Sequence, residues 1–129
     1  DVINVRAQRF NTGELEAAIV DADGVTEAAV VGDDDGRIVA YVTTKSDVEP
    51  GEPLREAIAD RLASVVGDVA RPDRVVFTPE LPKTRSGKIM RRLLEDIARG
   101  EEFGDVSALR NPEVVGEIES TVKDGGAQL

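Results

Sequence analysis

The sequence has no cysteine, no histidine and no tryptophan, and it has one tyrosine and three phenylalanines in 129 residues. Without Cys, disulfides, thiolate metal sites and thiol catalysis are all excluded. Without His, the commonest general base and the commonest zinc ligand are missing as well. Because aromatic residues are 3% of a chain that is 40% hydrophobic, the core must be built from Val, Ile, Leu and Ala. Any chemistry must therefore use Lys, Arg, Asp, Glu or the backbone.

Basic side chains are also scarce, since 16 Lys and Arg stand against 26 Asp and Glu and give a formal charge of −10. A field of that sign repels nucleic acids and anionic membranes, so we expect neither as a partner. No apolar run approaches the roughly 18 residues of a membrane span, and no signal segment opens the chain. We therefore expect a cytoplasmic protein. Only four of the basic residues are Lys, and this composition favours a halophilic, high-salt cytoplasm over ordinary acidic solubility.

The hydrophobic pattern predicts an α+β fold, in which about three helices pack on a small mixed or antiparallel sheet. The length fits one domain, residues 1–129, with residues 101–129 as its polar C-terminal tail. Asn11-Thr12-Gly13-Glu14 is typical of a capped helix start, and it follows a short strand and a loop. The further elements that the pattern predicts are strands at 27–31, 37–43 and 74–78, helices at 53–66 and 89–100, and a short helix at 112–122.

An acidic loop, Gly32-Asp33-Asp34-Asp35-Gly36, joins the first two of these longer strands. Glycines at its ends and aspartates between them are typical of a hairpin loop. A calcium site is the alternative, but the loop lacks the spacing and the closing Glu of an EF-hand. We therefore expect a solvated turn.

Residues 81–94 carry a local charge of +5 and no acid, while the rest of the chain carries −15. One interpretation is a basic helix face that balances its neighbours. The other is an anion site, because Ser86 and Gly87 permit a tight turn with exposed amides and Lys88 stands at a predicted helix start. The spacing is not that of a nucleotide P-loop, since Ile89 follows Lys88. The five cations are Lys83, Arg85, Lys88, Arg91 and Arg92.

This segment resembles a known family. Its run Pro82-Lys83-Thr84-Arg85-Ser86-Gly87-Lys88-Ile89-Met90-Arg91-Arg92 is similar to the C-terminal signature of AMP-forming acyl-CoA synthetases, which are adenylate-forming enzymes. The resemblance implies that the chain is the mobile C-terminal domain and that its partner, the large N-terminal AMP-binding domain, is absent. A start at Asp1 rather than Met agrees with a fragment. The resemblance extends over segments 1–5, 14–18, 28–32, 104–109 and 111–115, the last two resembling acetyl- and propionyl-CoA synthetases.

The resemblance implies an acid–thiol ligase that works in two steps. ATP and a short-chain carboxylate such as acetate give acyl-AMP and pyrophosphate, and the acyl group then passes to CoA. A swing of the domain about a hinge near its N-terminus serves both steps, so the fragment alone is expected to be inactive. Lys88 is the implied catalytic cation, Arg9 is a contact to the ATP phosphates, and Ser86 and Gly87 belong to the nucleotide-binding loop.

The implied CoA contacts include departures from the family pattern. Arg6 occupies a position that lies near CoA in the family. The Gly-His pair usual before Arg9 is Ala7-Gln8 here, and a side chain at Ala7 narrows the path of the CoA pantetheine. The helical arginine that meets the CoA nucleotide aligns with Ala63, which leaves Arg61 as a substitute.

Magnesium is the remaining implied cofactor beside ATP and CoA. The resemblance assigns it to the backbone carbonyls of Val20 and Val25, around a family position that is Ala22 here. Two alternatives remain open. One is an adenylate-forming enzyme that uses another acid or acyl acceptor, given Ala7 and Ala63. The other is a stand-alone regulatory module whose basic loop docks on a phosphate-bearing partner.

Overall fold

The computed structural model of the chain describes residues 2–5, 8–33 and 35–123. Within them, four α-helices and two small sheets form an α+β fold, as the hydrophobic pattern predicts. In chain order the elements are β1 Val2–Val5, β2 Gln8–Asn11, α1 Thr12–Val20, β3 Val25–Gly32, β4 Ile38–Thr44, α2 Glu52–Val65, a 3₁₀ turn Asp68–Ala70, β5 Arg74–Phe77, α3 Arg91–Arg99 and α4 Glu113–Lys123.

The central sheet has the strand order β3-β4-β5. Strands β3 and β4 form the expected antiparallel hairpin, with Ala29 opposite Tyr41. Strand β5 runs parallel to β4 after the crossover through α2, so the sheet is mixed. Strands β1 and β2 form a separate antiparallel hairpin that the sequence pattern does not predict beyond its first strand.

Both faces of the central sheet are covered by helices, which explains why β3 and β4 are almost continuously apolar. Ile38 and Ala40 of β4 pack in the core that contains α1 and α2. Val39 and Tyr41, which point to the opposite face, pack in the core that contains α3 and α4. The alternation of side chains along one strand thus assigns β4 to two cores at once.

The helix ends follow the predicted chemistry at three places. The Asn11 side chain accepts a hydrogen bond from the amide of Gly13 at 2.8 Å and begins α1. Helix α2 has Pro53 in its first turn, where the missing amide costs nothing. Gly100 ends α3 with a φ of 69°, a left-handed conformation that favours glycine.

Two expectations about the last third of the chain were wrong in detail. Helix α3 begins at Arg91 rather than at Ile89, because the preceding residues form a hairpin. The predicted tail is not merely polar, since α4 packs one apolar side into the core. The buried side chains of this segment are Leu109, Val114, Val115, Ile118 and Val122.

The acidic loop between β3 and β4 is organised by its first aspartate. One carboxylate oxygen of Asp33 accepts the amides of Asp35 and Arg37, each at 2.9 Å. This is local turn chemistry, in which a short polar side chain replaces a backbone acceptor. Asp34 lies outside the described residues. No helix in the described part of the chain is both long and apolar enough to cross a membrane.

Candidate functional site

The basic segment folds as a short β-hairpin, residues 82–90, which we call the signature hairpin. Its two arms meet where Lys83 pairs with Ile89. The Thr84 amide donates to the Lys88 carbonyl at 2.8 Å, and the Met90 amide donates to the Pro82 carbonyl at 2.9 Å. The loop therefore has a defined conformation, closed at its base by backbone hydrogen bonds.

Gly87 allows the tight turn at the tip of this hairpin. Its amide donates to the Thr84 carbonyl at 2.9 Å, and its φ of 90° lies where residues with a side chain are strained. A three-residue loop with glycine at its last position is a common hairpin connection. The Thr84 hydroxyl lies 3.0 Å from that of Ser86 and accepts the Lys88 amide at 3.2 Å.

The sequence analysis expected exposed amides at this turn, but hydrogen bonds within the turn use two of them. The amides of Gly87 and Lys88 both donate within the turn. Lys88 precedes α3 by three residues, so the prediction that it stands at a helix start was wrong. An anion at this turn would therefore be bound by cationic side chains more than by a helix N-terminus.

Lys83 anchors the hairpin on one side. Its ammonium forms an ion pair with Glu27 of β3 at 2.6 Å, and its amide donates to the Asn111 side chain at 3.0 Å. Asn111 is buried and donates in turn to the Leu81 carbonyl at 2.8 Å. The hairpin is thus fixed both to the sheet and to the segment before α4.

Arg91 anchors the hairpin where it runs into α3. Its guanidinium donates two hydrogen bonds to the carboxylate of Glu16, the Nε bond being 2.9 Å long. Glu16 is 8% exposed and also accepts the amide of Val30 at 2.9 Å, on the outer edge of β3. The hydrogen bond that Arg91 donates to Glu16 raises the pKa of Arg91 above its ordinary value, so this cation stays charged.

The remaining signature cations are different, because Arg85, Lys88 and Arg92 are exposed. In the described part of the chain, none of the three forms an ion pair with a carboxylate. The balancing interpretation of the basic segment therefore applies to Lys83 and Arg91 alone. Lys88 is thus an exposed ammonium without an ion-pair partner among the described residues, and it lies on a conformationally defined turn.

The other predicted nucleotide contacts lie on the β1–β2 hairpin. Arg9 is exposed on β2, where it pairs with Asn4 of β1. Arg6 and Ala7 lie outside the described residues, so their predicted roles are not addressed by the geometry. Ile3 of the same hairpin packs against Gly32, with its Cγ2 3.5 Å from the position that a β-carbon on Gly32 would occupy.

Arg61, the suggested substitute for a CoA contact, is engaged with α1. Its Nε donates to the Ala18 carbonyl at 2.9 Å, and its Nη2 forms an ion pair with Asp21 at 2.7 Å. The side chain keeps 37% exposure, and a guanidinium has five N–H donors. Arg61 therefore stabilises the end of α1 and retains donors that face solvent.

The expected magnesium ligands flank the turn that Arg61 supports. Val20 ends α1 and Val25 begins β3. Carbonyls in the last turn of a helix lack intrahelical donors, and oxygen is the donor that Mg²⁺ prefers. Among the described residues, no group of three or more His, Cys, Asp or Glu side chains could hold a metal. A cation at this turn would therefore be held by backbone carbonyls, and the assignment to Val20 and Val25 stays a prediction.

Two residues of the site were missed by the sequence analysis. Glu16 could have been noticed, because it interrupts the apolar side of α1 beside Leu15 and Ile19. No local sequence pattern indicates that Arg110 belongs to the site. It reaches the signature hairpin only because Leu109 pairs with Thr84 in the folded chain.

Comparisons with known proteins identify the family of the chain. A family model described as the AMP-binding enzyme C-terminal domain matches residues 14–88. The chain is 48% identical over 122 residues to an acetyl-coenzyme A synthetase of Gemmatimonas aurantiaca, covering 92% of this chain and 19% of that protein. It is 48% identical over 124 residues to the acetyl-coenzyme A synthetase of Bradyrhizobium diazoefficiens, again covering 92% of this chain and 19% of that protein.

A solved structure gives the same result for the fold. The crystal structure of Brucella canis acyl-CoA synthetase matches with a TM-score of 0.71 and 35% identity, covering 74% of this chain and 18% of that chain. The chain spans about a fifth of the length of the curated relatives that it matches. With the family model and the relatives in agreement, the chain belongs to the AMP-binding enzyme C-terminal domain family.

Proposed function

We propose that the chain is the mobile C-terminal domain of an AMP-forming acyl-CoA synthetase that activates acetate or a similar short-chain acid. Its partner is then its own N-terminal adenylate-forming domain, which accounts for the other four fifths of the relatives' length. The observation that carries the proposal is Lys88. It is exposed and forms no ion pair among the described residues, and it lies beside the tip of a hairpin that the ion pairs of Lys83 and Arg91 fix.

The first reaction requires such a cation. A carboxylate oxygen of the acid attacks the α-phosphorus of ATP, a C–O–P bond forms, and the bond to the leaving pyrophosphate breaks. Two anions must approach each other, and negative charge develops around the phosphorus. The ammonium of Lys88 offsets that repulsion and stabilises the transition state. This role needs charge and reach but no proton transfer, which suits a chain without histidine.

The other nucleotide contacts follow the same proposal. Arg9 contacts the ATP phosphates, and Ser86 and Gly87 give the turn the shape that presents Lys88. Mg²⁺ would be held by the backbone carbonyls of Val20 and Val25. Because carbonyl oxygens are neutral ligands, the ion would keep its positive charge and supply it to the site.

The second reaction uses the same site after the domain has rotated. The sulfur of CoA attacks the acyl carbonyl, a thioester forms, and AMP leaves. Arg6 and Arg61 are the proposed contacts to CoA. Arg61 can contact CoA only through the N–H groups that do not already donate to Ala18 and Asp21. Closing and reopening one site for two reactions is a lid mechanism.

We propose that the whole protein works in the cytoplasm of a salt-loving organism. The support is compositional, with a formal charge of −10 and four Lys among 16 basic residues. The substrates are then small soluble molecules, namely ATP, CoA and the acid, and neither a nucleic acid nor a membrane is a partner.

The full-length protein that contains this chain provides the test. Lys88→Ala should lower acyl-AMP formation by about 10²–10³, the usual cost of losing one transition-state donor. Lys88→Arg should recover little, because a planar guanidinium replaces a point charge. With preformed acyl-AMP, thioester formation should run near the parent rate. Lys45→Ala is the matched control, since Lys45 is an exposed lysine outside the signature hairpin.

Two results would contradict the proposal. If Lys88→Ala slows both half-reactions equally, the lysine serves both orientations of the domain or has a structural role. If the full-length parent forms no acyl-AMP from ATP and any short-chain acid, the function itself is wrong.

A different acyl acceptor is the second candidate. The position of the family's helical arginine is the half-buried Ala63, and Arg61 is already paired with Asp21. Both observations imply weaker binding of the CoA nucleotide than the family pattern predicts. Measuring turnover of preformed acyl-AMP with CoA, with pantetheine and with simple amines separates the two. Equal rates with CoA and pantetheine favour the second candidate, because pantetheine lacks the nucleotide.

A further inference from the structure

A third exposed cation lies at the signature hairpin and comes from outside the signature. Arg110 follows Leu109, which pairs with Thr84, and the Arg110 amide donates to the Lys83 carbonyl at 3.0 Å. This pairing brings the Arg110 guanidinium over the tip of the turn. Its Nη1 lies 3.7 Å from the position that a β-carbon on Gly87 would occupy.

No carboxylate among the described residues forms an ion pair with the exposed cations around this turn. Arg85, Lys88 and Arg110 are all exposed, and none of them forms an ion pair with a described carboxylate. This occurs in a chain whose formal charge is −10. A cluster of cations without ion-pair partners in the described part of the chain is suited to an external anion of more than one charge.

We propose that Arg110 binds the phosphate chain of the nucleotide beside Lys88 during formation of acyl-AMP, and that it then binds the leaving pyrophosphate. This inference rests on the proposed function. Lys88 and Arg110 lie at one turn, so an anion that engages both must present several charged oxygens in a row. A polyphosphate chain does this. The planar fork of arginine can also donate two parallel hydrogen bonds to phosphate oxygens, whereas the ammonium of lysine acts as a point charge.

The proposal adds a residue that acts on binding rather than on the attack at the α-phosphorus. Arg110 is held by the pairing of its own backbone with Lys83, so its guanidinium is available without disturbing the hairpin. Removing the Arg110 side chain beyond Cβ leaves its backbone hydrogen bond to Lys83 in place. The pairing of Leu109 with Thr84 and the Lys83 and Arg91 anchors also remain. Arg110→Ala should therefore fold normally, and circular dichroism of each variant checks this.

The experiment measures ATP–pyrophosphate exchange and thioester formation in the full-length protein. The variants are Arg110→Ala and Arg110→Lys, and Arg37→Ala is the control, because Arg37 is an exposed arginine in the β3–β4 loop. Arg110→Ala should raise the KM for ATP and the KM for pyrophosphate in the exchange assay about tenfold each, equivalent to about 1.4 kcal/mol of lost binding. Arg110→Lys should recover part of this loss. Arg37→Ala and the reaction of preformed acyl-AMP with CoA should both match the parent.

Two outcomes overturn the inference. One is a KM for ATP and a KM for pyrophosphate that stay at the parent values in Arg110→Ala. The other is a KM that rises for CoA and not for ATP, which would assign Arg110 to the phosphates of CoA.

A binding measurement separates this inference from the proposed function. Tripolyphosphate is titrated into the full-length parent and into Arg110→Ala by calorimetry. If the parent forms no acyl-AMP but Arg110→Ala binds tripolyphosphate about tenfold more weakly, the function fails and the anion contact stands. If both proteins bind tripolyphosphate equally, the contact is wrong whatever the enzyme does.

Discussion

Removing the carboxylate of Glu16 should destabilise the fold, and the structure gives the size of the effect. Glu16→Ala leaves the amide of Val30 buried without its acceptor, which costs about 1–3 kcal/mol. It also breaks the pair with Arg91, and breaking a buried pair costs about 3–5 kcal/mol. Arg91 keeps 34% exposure and can regain water, so the pair term is smaller here. We expect a total loss of about 3 kcal/mol.

The assay is urea unfolding of the 129-residue chain, followed by circular dichroism. Glu16→Ala, Arg91→Ala and the double variant form a cycle, and we expect a coupling free energy of about 1–2 kcal/mol between the two residues. Glu119→Ala is the control. It breaks an exposed pair with Lys123, and such a pair contributes less than about 0.5 kcal/mol. Zero coupling, or a Glu16→Ala loss no larger than that of Glu119→Ala, would refute the role of Glu16 as an anchor.

Two further predictions concern pH and salt. Burial raises the pKa of Tyr41 far above its ordinary value of about 10, and the nearby Arg74 only partly opposes this. The neutral phenol is thus favoured by folding, so its contribution is complete below about pH 10 and falls by about 1.4 kcal/mol per pH unit above it. Tyr41→Phe should lose the 2.8 Å bond to the Leu94 carbonyl, costing about 1 kcal/mol at neutral pH, and should show a flatter decline above pH 10. Tyr41 is the only tyrosine, so tyrosinate absorbance that rises in the folded protein near pH 10 would disprove this. Separately, molar KCl should raise the melting temperature, because it screens a formal charge of −10; a flat or falling curve would remove the support for a halophilic origin.

The sequence predicts the central sheet and the helices around it well, because these elements depend on local periodicity. Continuous apolar runs with glycines and aspartates between them predict the β3–β4 hairpin. Helical spacing of apolar residues predicts α1 and α2, and Gly100 marks the end of α3. Each of these signals lies within one turn or one strand, so no distant contact is needed to interpret it.

The errors occur where long-range contacts decide the conformation. Residues 82–90 have helix-like and turn-like features, and only the pairing of Lys83 with Ile89 and of Thr84 with Leu109 makes them a hairpin. The sequence predicts a short helix at 112–122, but the apolar side of α4 is short and lies among charged residues, so its burial is not predicted. It becomes core because α3 and the sheet provide a surface that must be covered.

Some features of the candidate site can likewise be predicted from the sequence, and others depend on the tertiary structure. A motif of contiguous residues is enough to make Lys88 the candidate catalytic cation, and composition alone excludes histidine and cysteine chemistry. Composition could not distinguish the two kinds of cation in the basic segment. Glu16 and Glu27 lie far from it along the chain, and only the tertiary structure pairs them with Arg91 and Lys83. Arg110 likewise joins the turn through a backbone pairing that closes more than twenty residues of chain. Charge is a property of the sequence, but whether a charge is compensated depends on distances that only folding creates.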